Sequence, residues 1–267
     1  MRLISLIALR KILFYAINEN NRAYLSVHSL TSFVIHILKL QITVKHNNAG
    51  VRIMSILLAQ NWDVKNEQEN DYLSFIAEKY NPTVMSLGLR IVGGYYVEVG
   101  TGPSTVAVLS ADDVSMVNGI VVSEEYRKIT NELNFFVNNR RAALGISTSR
   151  ISNAAYTIQE GVWKWNHYYN VKPHKKGDYK LFLKEISKVL DQLDFVELTQ
   201  EWHMLYGGTA DYLLEMTFQD PIDISRLLNN PQFRELEKLV KKELIIDYSS
   251  RILRSTERFE KPRWITL

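Results

Sequence analysis

From residue 55 onward, the spacing of apolar residues switches between two periods. The stretches "SILLAQNWDV", "GLRIVGGYYVEVG" and "TVAVLS" are rich in β-favouring residues and predict strands. In "NEQENDYLSFIAEKY" and "SEEYRKITNELNFFVNN" the apolar residues recur at helical spacing, with "NP" ending the first helix. The glycine-rich "GTGPS" predicts a turn between two strands, and "SRISNAAYTI" reads as a closing strand. The predicted order is β-α-β-β-α-β.

The same pattern occurs a second time. A shift of 107 residues brings Trp62 onto Tyr169, Asp71 onto Asp178 and Gly100 onto Gly207, and no gap is needed until about residue 137. In the second copy, "VWKWNHYYNV" is a strand and "KKGDYKLFLKEISKVLDQL" a helix. A hairpin follows at "FVELTQEWHMLYGGTADYLLEMTF", then a helix at "NNPQFRELEKLVKKELIIDY" and a strand at "RILRSTERF". The chain therefore contains an internal repeat.

These patterns divide the chain into four parts. We predict a first unit at 54–157, a second unit at 158–260 and a C-terminal tail at 261–267. Residues 1–53 form an N-terminal extension, and no apolar run in it reaches the roughly 18 residues that span a bilayer. The extension is a poorly ordered segment, an interfacial amphipathic anchor or the product of a mis-assigned start upstream of Met54. We favour the mis-assigned start.

The β-α-β-β-α-β order is that of the ferredoxin-like split βαβ unit. Together with "NVKPHKKGDY" and the Gly-Gly-Thr hairpin corner, it resembles the dimeric α/β-barrel superfamily, which includes proteins like the antibiotic-biosynthesis monooxygenases. The resemblance covers about residues 54–260. It implies an α+β fold in which two ferredoxin-like units pack face to face as a pseudo-dimeric α/β barrel. The superfamily includes cofactor-free monooxygenases, haem enzymes, isomerases and members with no known activity.

Strand alternation assigns side chains to the space between the two sheets. Four of them are candidates to orient a ligand or move a proton, as general acids and bases do: His203, Tyr96, Asn61 and Tyr168. Five more are candidate ligand-binding residues: Arg90, Glu197, Glu201, Glu215 and Asn166. Simpler roles compete with these assignments. His203 could be a structural histidine, and Glu197 and Glu201 could reach solvent at an open barrel end.

Composition narrows the chemistry. The chain has 267 residues, 46% of them apolar, a net charge of +3 and no cysteine. A nucleic-acid partner is not expected because no long basic run is present. Thiolate metal sites and a cysteine nucleophile are excluded, and a cytoplasmic location fits. No dinucleotide fingerprint or P-loop occurs. A Glu/His metal site or a haem held by His203 or His167 is conceivable, but we predict no cofactor and no metal.

The predicted function is the binding of a small, aromatic or apolar molecule between the sheets, with cofactor-free monooxygenase-type chemistry as an extension of it. The alternative is a non-catalytic scaffold or oligomerisation protein with a filled barrel. A cavity of roughly 300 Å³ or more, lined by convergent polar groups, would distinguish the two. We expect a monomer or homodimer that has no membrane partner.

Overall fold

The computed structural model describes residues 55–152 and 161–256, together with positions 154, 156, 157 and 159 of the segment between them. The predicted N-terminal extension, 1–53, and the predicted tail, 261–267, lie outside the described residues, as does the end of the second unit. In the described part of the chain, no helix combines the length and apolar character that crossing a bilayer requires.

The first unit has the predicted order of elements, with its final strand in a different place. Its elements are β1 (Ile56–Val64), α1 (Glu69–Phe75), α2 (Asn81–Ser86), β2 (Arg90–Val99), β3 (Thr105–Ala111), α3 (Val114–Val122), α4 (Glu124–Phe136) and β4 (Val137–Ser147). A π-helical turn, Ile76–Tyr80, joins α1 to α2. The prediction that "NP" ends the helix is wrong, because the π-helical turn leads directly into α2. Pro82 lies in the first turn of α2, where a missing N–H is tolerated. The prediction that "SRISNAAYTI" closes the unit is wrong, since β4 pairs with β1 and that segment connects the units.

The second unit repeats this order with one additional residue near its end. Its elements are β5 (Trp163–Val171), α5 (Lys176–Leu190), β6 (Glu197–Tyr206), β7 (Tyr212–Phe218), α6 (Pro221–Leu228), α7 (Pro231–Leu239) and β8 (Ile245–Ser255). A π-helical turn, Val240–Leu244, separates α7 from β8, whereas α4 runs directly into β4. From there the repeat continues at a shift of 108 residues, which brings Ala143 onto Arg251. The predicted helix through residue 248 is therefore too long.

The eight strands form one closed antiparallel barrel. The order around it is β1-β3-β2-β8-β5-β7-β6-β4, so each unit contributes four neighbouring strands and the units join at β2–β8 and β4–β6. Two apolar clusters, one per unit, pack the helices against the sheet, and a third cluster fills part of the barrel interior. This is the predicted α+β architecture of two β-α-β-β-α-β units facing each other.

A bulge at matching positions of the two units changes which side chains face inward. The β2–β3 register shifts between Ile91 and Gly93, and the β6–β7 register shifts between Leu198 and Gln200. One extra residue reverses the alternation beyond it. Trp202 therefore packs inside the barrel, although simple alternation places it beneath the helices. The inward assignments of three candidate residues are wrong for the same reason: Tyr96, Glu201 and His203 face the helix side.

Candidate ligand site in the barrel

The barrel interior contains a cavity of ≈ 500 Å³ that opens between the two glycine-rich hairpin corners. The corners, at 101–103 and 207–209, are the two turns that the repeat brings into register. Tyr156, Trp202 and Tyr95 are buried in the interior cluster beyond the cavity. Tyr156 belongs to the segment that connects the units, and its ring packs edge-on against Trp202 at 4.9 Å. The barrel is therefore filled in part and open at the hairpin end.

Four of the candidate residues line this cavity, as the alternation predicts: Asn61, Asn166, Tyr168 and Glu215. The last three lie on β5 and β7, which pair without a bulge. In the β-sheet register, Asn166 is opposite Glu215 on one neighbouring strand and opposite Arg251 on the other. The second unit thus presents a row of an arginine, an amide and a carboxylate across three adjacent strands.

The first unit contributes an apolar wall to the same cavity. Its lining side chains include Leu57, Ala59, Val106 and Val108. The repeat aligns Ala59 with Asn166 and Val108 with Glu215, so apolar residues of one half correspond to polar residues of the other. At these positions the cavity is consequently two-sided, with polar groups on the second unit and hydrocarbon on the first, while Asn61 and Arg141 of the first unit also line it.

Arg251 is the principal cavity residue that the sequence analysis missed. Its Nη1 donates to Asn61 Oδ1 at 3.0 Å, and its guanidinium carbon lies 5.6 Å from the centre of the Tyr168 ring. Gly102 packs so closely that a Cβ there would lie 2.5 Å from Arg251 Nη2. Its alternation with Leu253, which packs in the interior cluster, is the sequence feature that would have predicted an inward-facing side chain. The predicted last strand begins at Arg251, too late to establish that alternation.

A buried ionic cluster underlies the polar row. Lys164 Nζ lies 2.7 Å from Glu215 Oε1, and the Tyr156 hydroxyl donates to the same oxygen at 2.6 Å. Burial lowers the pKa of Lys164, and the Glu215 carboxylate opposes that shift. Burial also raises the pKa of Tyr156, and the Glu215 charge adds to it. The carboxylate that lines the cavity is therefore already paired with a cation beneath it.

Asn166 has unused hydrogen-bonding capacity. Only 5% of the residue is exposed, its Nδ2 lies 3.5 Å from the Tyr168 hydroxyl, and its Oδ1 has no hydrogen-bond partner among the residues that the structure describes. Burial raises the pKa of Tyr168, so this hydroxyl stays protonated at neutral pH. Buried polar atoms normally have partners, and an unpaired amide at a cavity is free to bind a ligand.

Three predicted site residues lie on the helix side of the sheet and do not contribute to the cavity. Glu201 pairs with Arg150 at 2.8 Å and also accepts from the Tyr179 hydroxyl. The His203 ring lies 5.3 Å from the Tyr212 ring, and its Nδ1 is 3.2 Å from the Asp211 carbonyl oxygen. Tyr96 lines a different cavity, on the helix side of the first unit. The proposed proximity of Tyr96, His203 and Glu215 is therefore wrong.

The remaining two candidates also lie away from the cavity lining. Arg90 pairs with Asp112 at 2.7 Å, and Glu197 is exposed at the start of β6. Both are far along their strands from the hairpin corners that form the cavity mouth.

The donor sets considered for a metal or a haem do not fit the described structure. Glu215 faces the barrel interior, while Glu201 and His203 face the helices, so these side chains cannot share an ion. No cluster of three metal-ligating side chains occurs among residues 55–152 and 161–256. A haem needs an axial ligand that faces a large space. His167 is bonded through Nδ1 to the Tyr248 hydroxyl at 2.8 Å, beside a cavity of only ≈ 30 Å³.

A second cavity, of ≈ 360 Å³, lies between the helices and the sheet of the first unit. Its lining is almost entirely apolar and includes Gly94, Thr105 and Ala107. The residues at the corresponding positions of the second unit are larger: Glu201, Tyr212 and Leu214. Small residues in the first unit thus leave open a space that side chains occupy in the second.

No protein-family model matches the chain, and no curated protein matches its sequence. Solved structures do match. A proposed monooxygenase from Lactobacillus acidophilus NCFM aligns with a TM-score of 0.54 at 7% identity, covering 76% of this chain and 94% of that one. A proposed monooxygenase from Fusobacterium nucleatum gives 0.53 at 12% identity, covering 77% and 93%. Chlorite dismutase from Candidatus Nitrospira defluvii gives 0.52 at 8% identity, covering 79% and 94%. The chain therefore has the dimeric α/β-barrel fold of these proteins, with both ferredoxin-like units in one polypeptide.

Proposed function

We propose that the protein binds a small molecule inside the barrel, between its two sheets. The observation that carries this proposal is the two-sided lining of the ≈ 500 Å³ cavity. Its size lies within the range of small-molecule sites, and such sites combine apolar walls with a few directed polar groups. A ring system would pack against Leu57, Ala59 and Val108, with its polar substituents toward Asn166 and Glu215. An open cavity of this kind argues against the alternative of a filled barrel that serves only as a scaffold.

Two cavity-filling variants test the proposal. Ala59 lines the barrel cavity, and Ala107 lines the helix-side cavity of the first unit. In a thermal-shift screen of small aromatic compounds, we expect hits that raise the melting temperature of the wild type and of Ala107→Phe. The same hits should leave Ala59→Phe unaffected, because the new ring occupies the barrel cavity.

The opposite result for the two variants would assign ligand binding to the helix-side cavity. If Ala107→Phe loses the hits and Ala59→Phe keeps them, the ligand binds between helices and sheet and the barrel proposal is wrong. As the folding control, the circular dichroism spectrum and melting temperature of each ligand-free variant should match those of the wild type. Overpacking typically costs about 1–3 kcal/mol, and the open space at both positions reduces that cost.

Cofactor-free oxidation of the bound molecule is the second candidate function, and the position of Glu215 favours it. A carboxylate in a cavity can accept the proton of a phenol and leave an electron-rich phenolate, as a general base does. Two structures of the same fold are described as proposed monooxygenases, which is consistent with this candidate but does not extend their activity to this chain. Oxygen consumption in the presence of a screening hit tests it. We expect Glu215→Gln to abolish consumption, and consumption that survives this change would rule out Glu215 as the base. Because the change also removes the counter-charge of Lys164, circular dichroism and the thermal shift given by the hit must show that the variant is folded and occupied when consumption is measured.

A small-molecule partner is thus the interaction that the geometry supports. The oligomeric state, monomer or homodimer, and the cytoplasmic location stay predictions from the sequence.

A further inference from the structure

We propose that the barrel cavity selects anionic ligands, specifically small aromatic carboxylates, and that Arg251 binds the carboxylate group. This inference rests on the proposed function, because it names the class of ligand for the same cavity. It is carried by the charge of the lining, by the way Arg251 is held and by the order of groups along the polar row.

The charges around the cavity are mainly positive. Arg251 and Arg141 both line it, and Glu215 is the only carboxylate that residues 55–152 and 161–256 contribute to that lining. Glu215 is paired with Lys164, which is 1% exposed. Among the described residues, no carboxylate lies within 4.0 Å of the Arg251 guanidinium. The cavity therefore carries a cation whose partner the described part of the protein does not supply.

Arg251 is held in place by neutral groups. Asn61 accepts one hydrogen bond from it, and the Tyr168 ring lies beside the guanidinium. Arg251 Nη2 lies beside the backbone of Gly102. A side chain at position 102 would occupy the space that Nη2 fills. A guanidinium has five donors in a planar fork that matches a carboxylate. Because its position is fixed before binding, little side-chain entropy is lost when the ligand arrives.

The order of the polar row sets the orientation of the ligand. Arg251, Asn166 and Glu215 occupy adjacent strands, and strands are about 4.8 Å apart. The Arg251 and Glu215 backbones are thus separated by roughly 10 Å, which accommodates a single substituted ring. A carboxylate at Arg251 stays away from the Glu215 charge, and a hydroxyl group at the far end of the ring can donate to Asn166 or Glu215. A hydroxylated aromatic acid therefore places its carboxylate at Arg251 and donates its hydroxyl proton to one of the two acceptors at the other end of the row.

Calorimetric titration of the full chain with an isosteric pair of probes tests the inference. The probes are 4-hydroxybenzoate, which is anionic at neutral pH, and 4-hydroxybenzamide, which is neutral. We expect the acid to bind at least about tenfold more tightly, as a charge-assisted pair is stronger than a neutral hydrogen bond. In Arg251→Gln the affinity for the acid should fall to that for the amide, while the affinity for the amide stays within about twofold.

Two further variants separate a specific role from a general loss of charge. Arg254→Gln removes an arginine from the same strand that pairs outside the cavity with Glu98 at 2.7 Å, and it should preserve the tenfold preference. Arg251→Lys retains the charge without the planar fork and should keep part of the preference. Loss of preference in Arg254→Gln, or its retention in Arg251→Gln, would overturn the assignment to Arg251.

The outcomes also distinguish this inference from the proposed function. Equal binding of acid and amide, abolished by Ala59→Phe, would overturn the anion preference and leave ligand binding in the barrel intact. Binding of neither probe, together with a thermal-shift screen that Ala59→Phe does not alter, would overturn both.

Discussion

Lys164 and Glu215 lie side by side beneath the cavity, with 1% and 3% of their side chains exposed. Taking two charges out of water is costly, and the cost is offset only while both partners are present. The Tyr156 hydroxyl donates to the same carboxylate oxygen, and the Tyr95 ring lies 5.0 Å from Lys164 Nζ. The cluster is therefore expected to tolerate joint replacement better than the loss of one partner.

We predict that Glu215→Leu alone destabilises the fold by about 3–5 kcal/mol, because it leaves the Lys164 ammonium buried without a counter-charge. The double variant Lys164→Met/Glu215→Leu should recover most of that loss. Urea unfolding of the wild type, both single variants and the double variant gives the coupling free energy. Additive single effects would show that the two charges do not interact in the folded protein.

His167 makes stability depend on pH. Burial lowers its pKa to about 3, and the Lys241 charge contributes in the same direction. Because the unfolded chain binds a proton near pH 6.5 and the folded chain does not, stability is highest above that pH and falls as the pH drops toward 3. Between about pH 6.5 and pH 4.5, this residue alone should cost roughly 2–3 kcal/mol of unfolding free energy.

Two histidine variants separate the contribution of His167 to the pH dependence of stability from that of the carboxylates. We expect the difference in unfolding free energy between neutral pH and about pH 4.5 to shrink by roughly that amount in His167→Gln. His174→Gln, on an exposed surface turn, is the matched control and should behave like the wild type. An unchanged pH dependence in His167→Gln would mean that this ring does become protonated in the folded protein.

Which site residues the sequence could reveal depended on the regularity of their strands. Asn166, Tyr168 and Glu215 were assigned to the interior because β5 and β7 alternate without interruption. His203 and Tyr96 were assigned to the wrong face because each follows a bulge, and a single extra residue has no signature in the pattern of apolar positions. Lys164 alternates with Asn166 and Tyr168 on β5 and faces inward with them, yet nothing in the sequence indicates its pairing with Glu215 or with Tyr156 of the connecting segment.

At the scale of elements, the internal repeat predicted most of the fold. It gave the strand order of both units and the two hairpin corners that form the cavity mouth. It did not predict β4, because the polar residues "NNRR" in this strand lack the alternation of a half-buried strand. It also did not predict where α7 ends, because residues that favour helices continue up to β8. The one-residue difference between the units is accommodated by the π-helical turn Val240–Leu244, as is typical of single insertions in helices.

Deletion of one residue from this turn should therefore be tolerated. Removing Lys242, an exposed residue, restores the length of the first unit, and we expect a loss of no more than about 1 kcal/mol. Removing Lys184, equally exposed but inside α5, rotates the rest of that helix by about 100°. Ile186 and Leu190 would leave the core, and we expect that variant not to fold. The melting temperatures of the two deletion variants test this prediction. Equal losses of melting temperature would contradict the assignment of an inserted residue to the turn.

At the scale of the whole molecule, the barrel makes the two units depend on each other. The joints β2–β8 and β4–β6 close the sheet, and the interior cluster takes residues from both units. Each unit alone would expose two sheet edges and the wall of the cavity. We expect a protease site inserted at Ala154, an exposed residue of the connecting segment, to be cut without separating the halves. The fragments should co-elute in size-exclusion chromatography, and separate elution of folded halves would contradict a shared barrel.

The proposed function requires that the barrel interior hold a ligand cavity between a polar wall and an apolar wall. Methyl NMR of the full chain labelled at its six methionines tests it most directly, because Met204 lines that cavity while Met216 packs in the helix-side core of the second unit. Titration with 4-hydroxybenzoate should shift the Met204 signal in a saturable manner, leave the Met216 signal in place and have no effect on Met204 in Ala59→Phe. A Met204 signal that does not respond in the wild type, or that responds equally in Ala59→Phe, would show that the ligand does not bind in the barrel cavity.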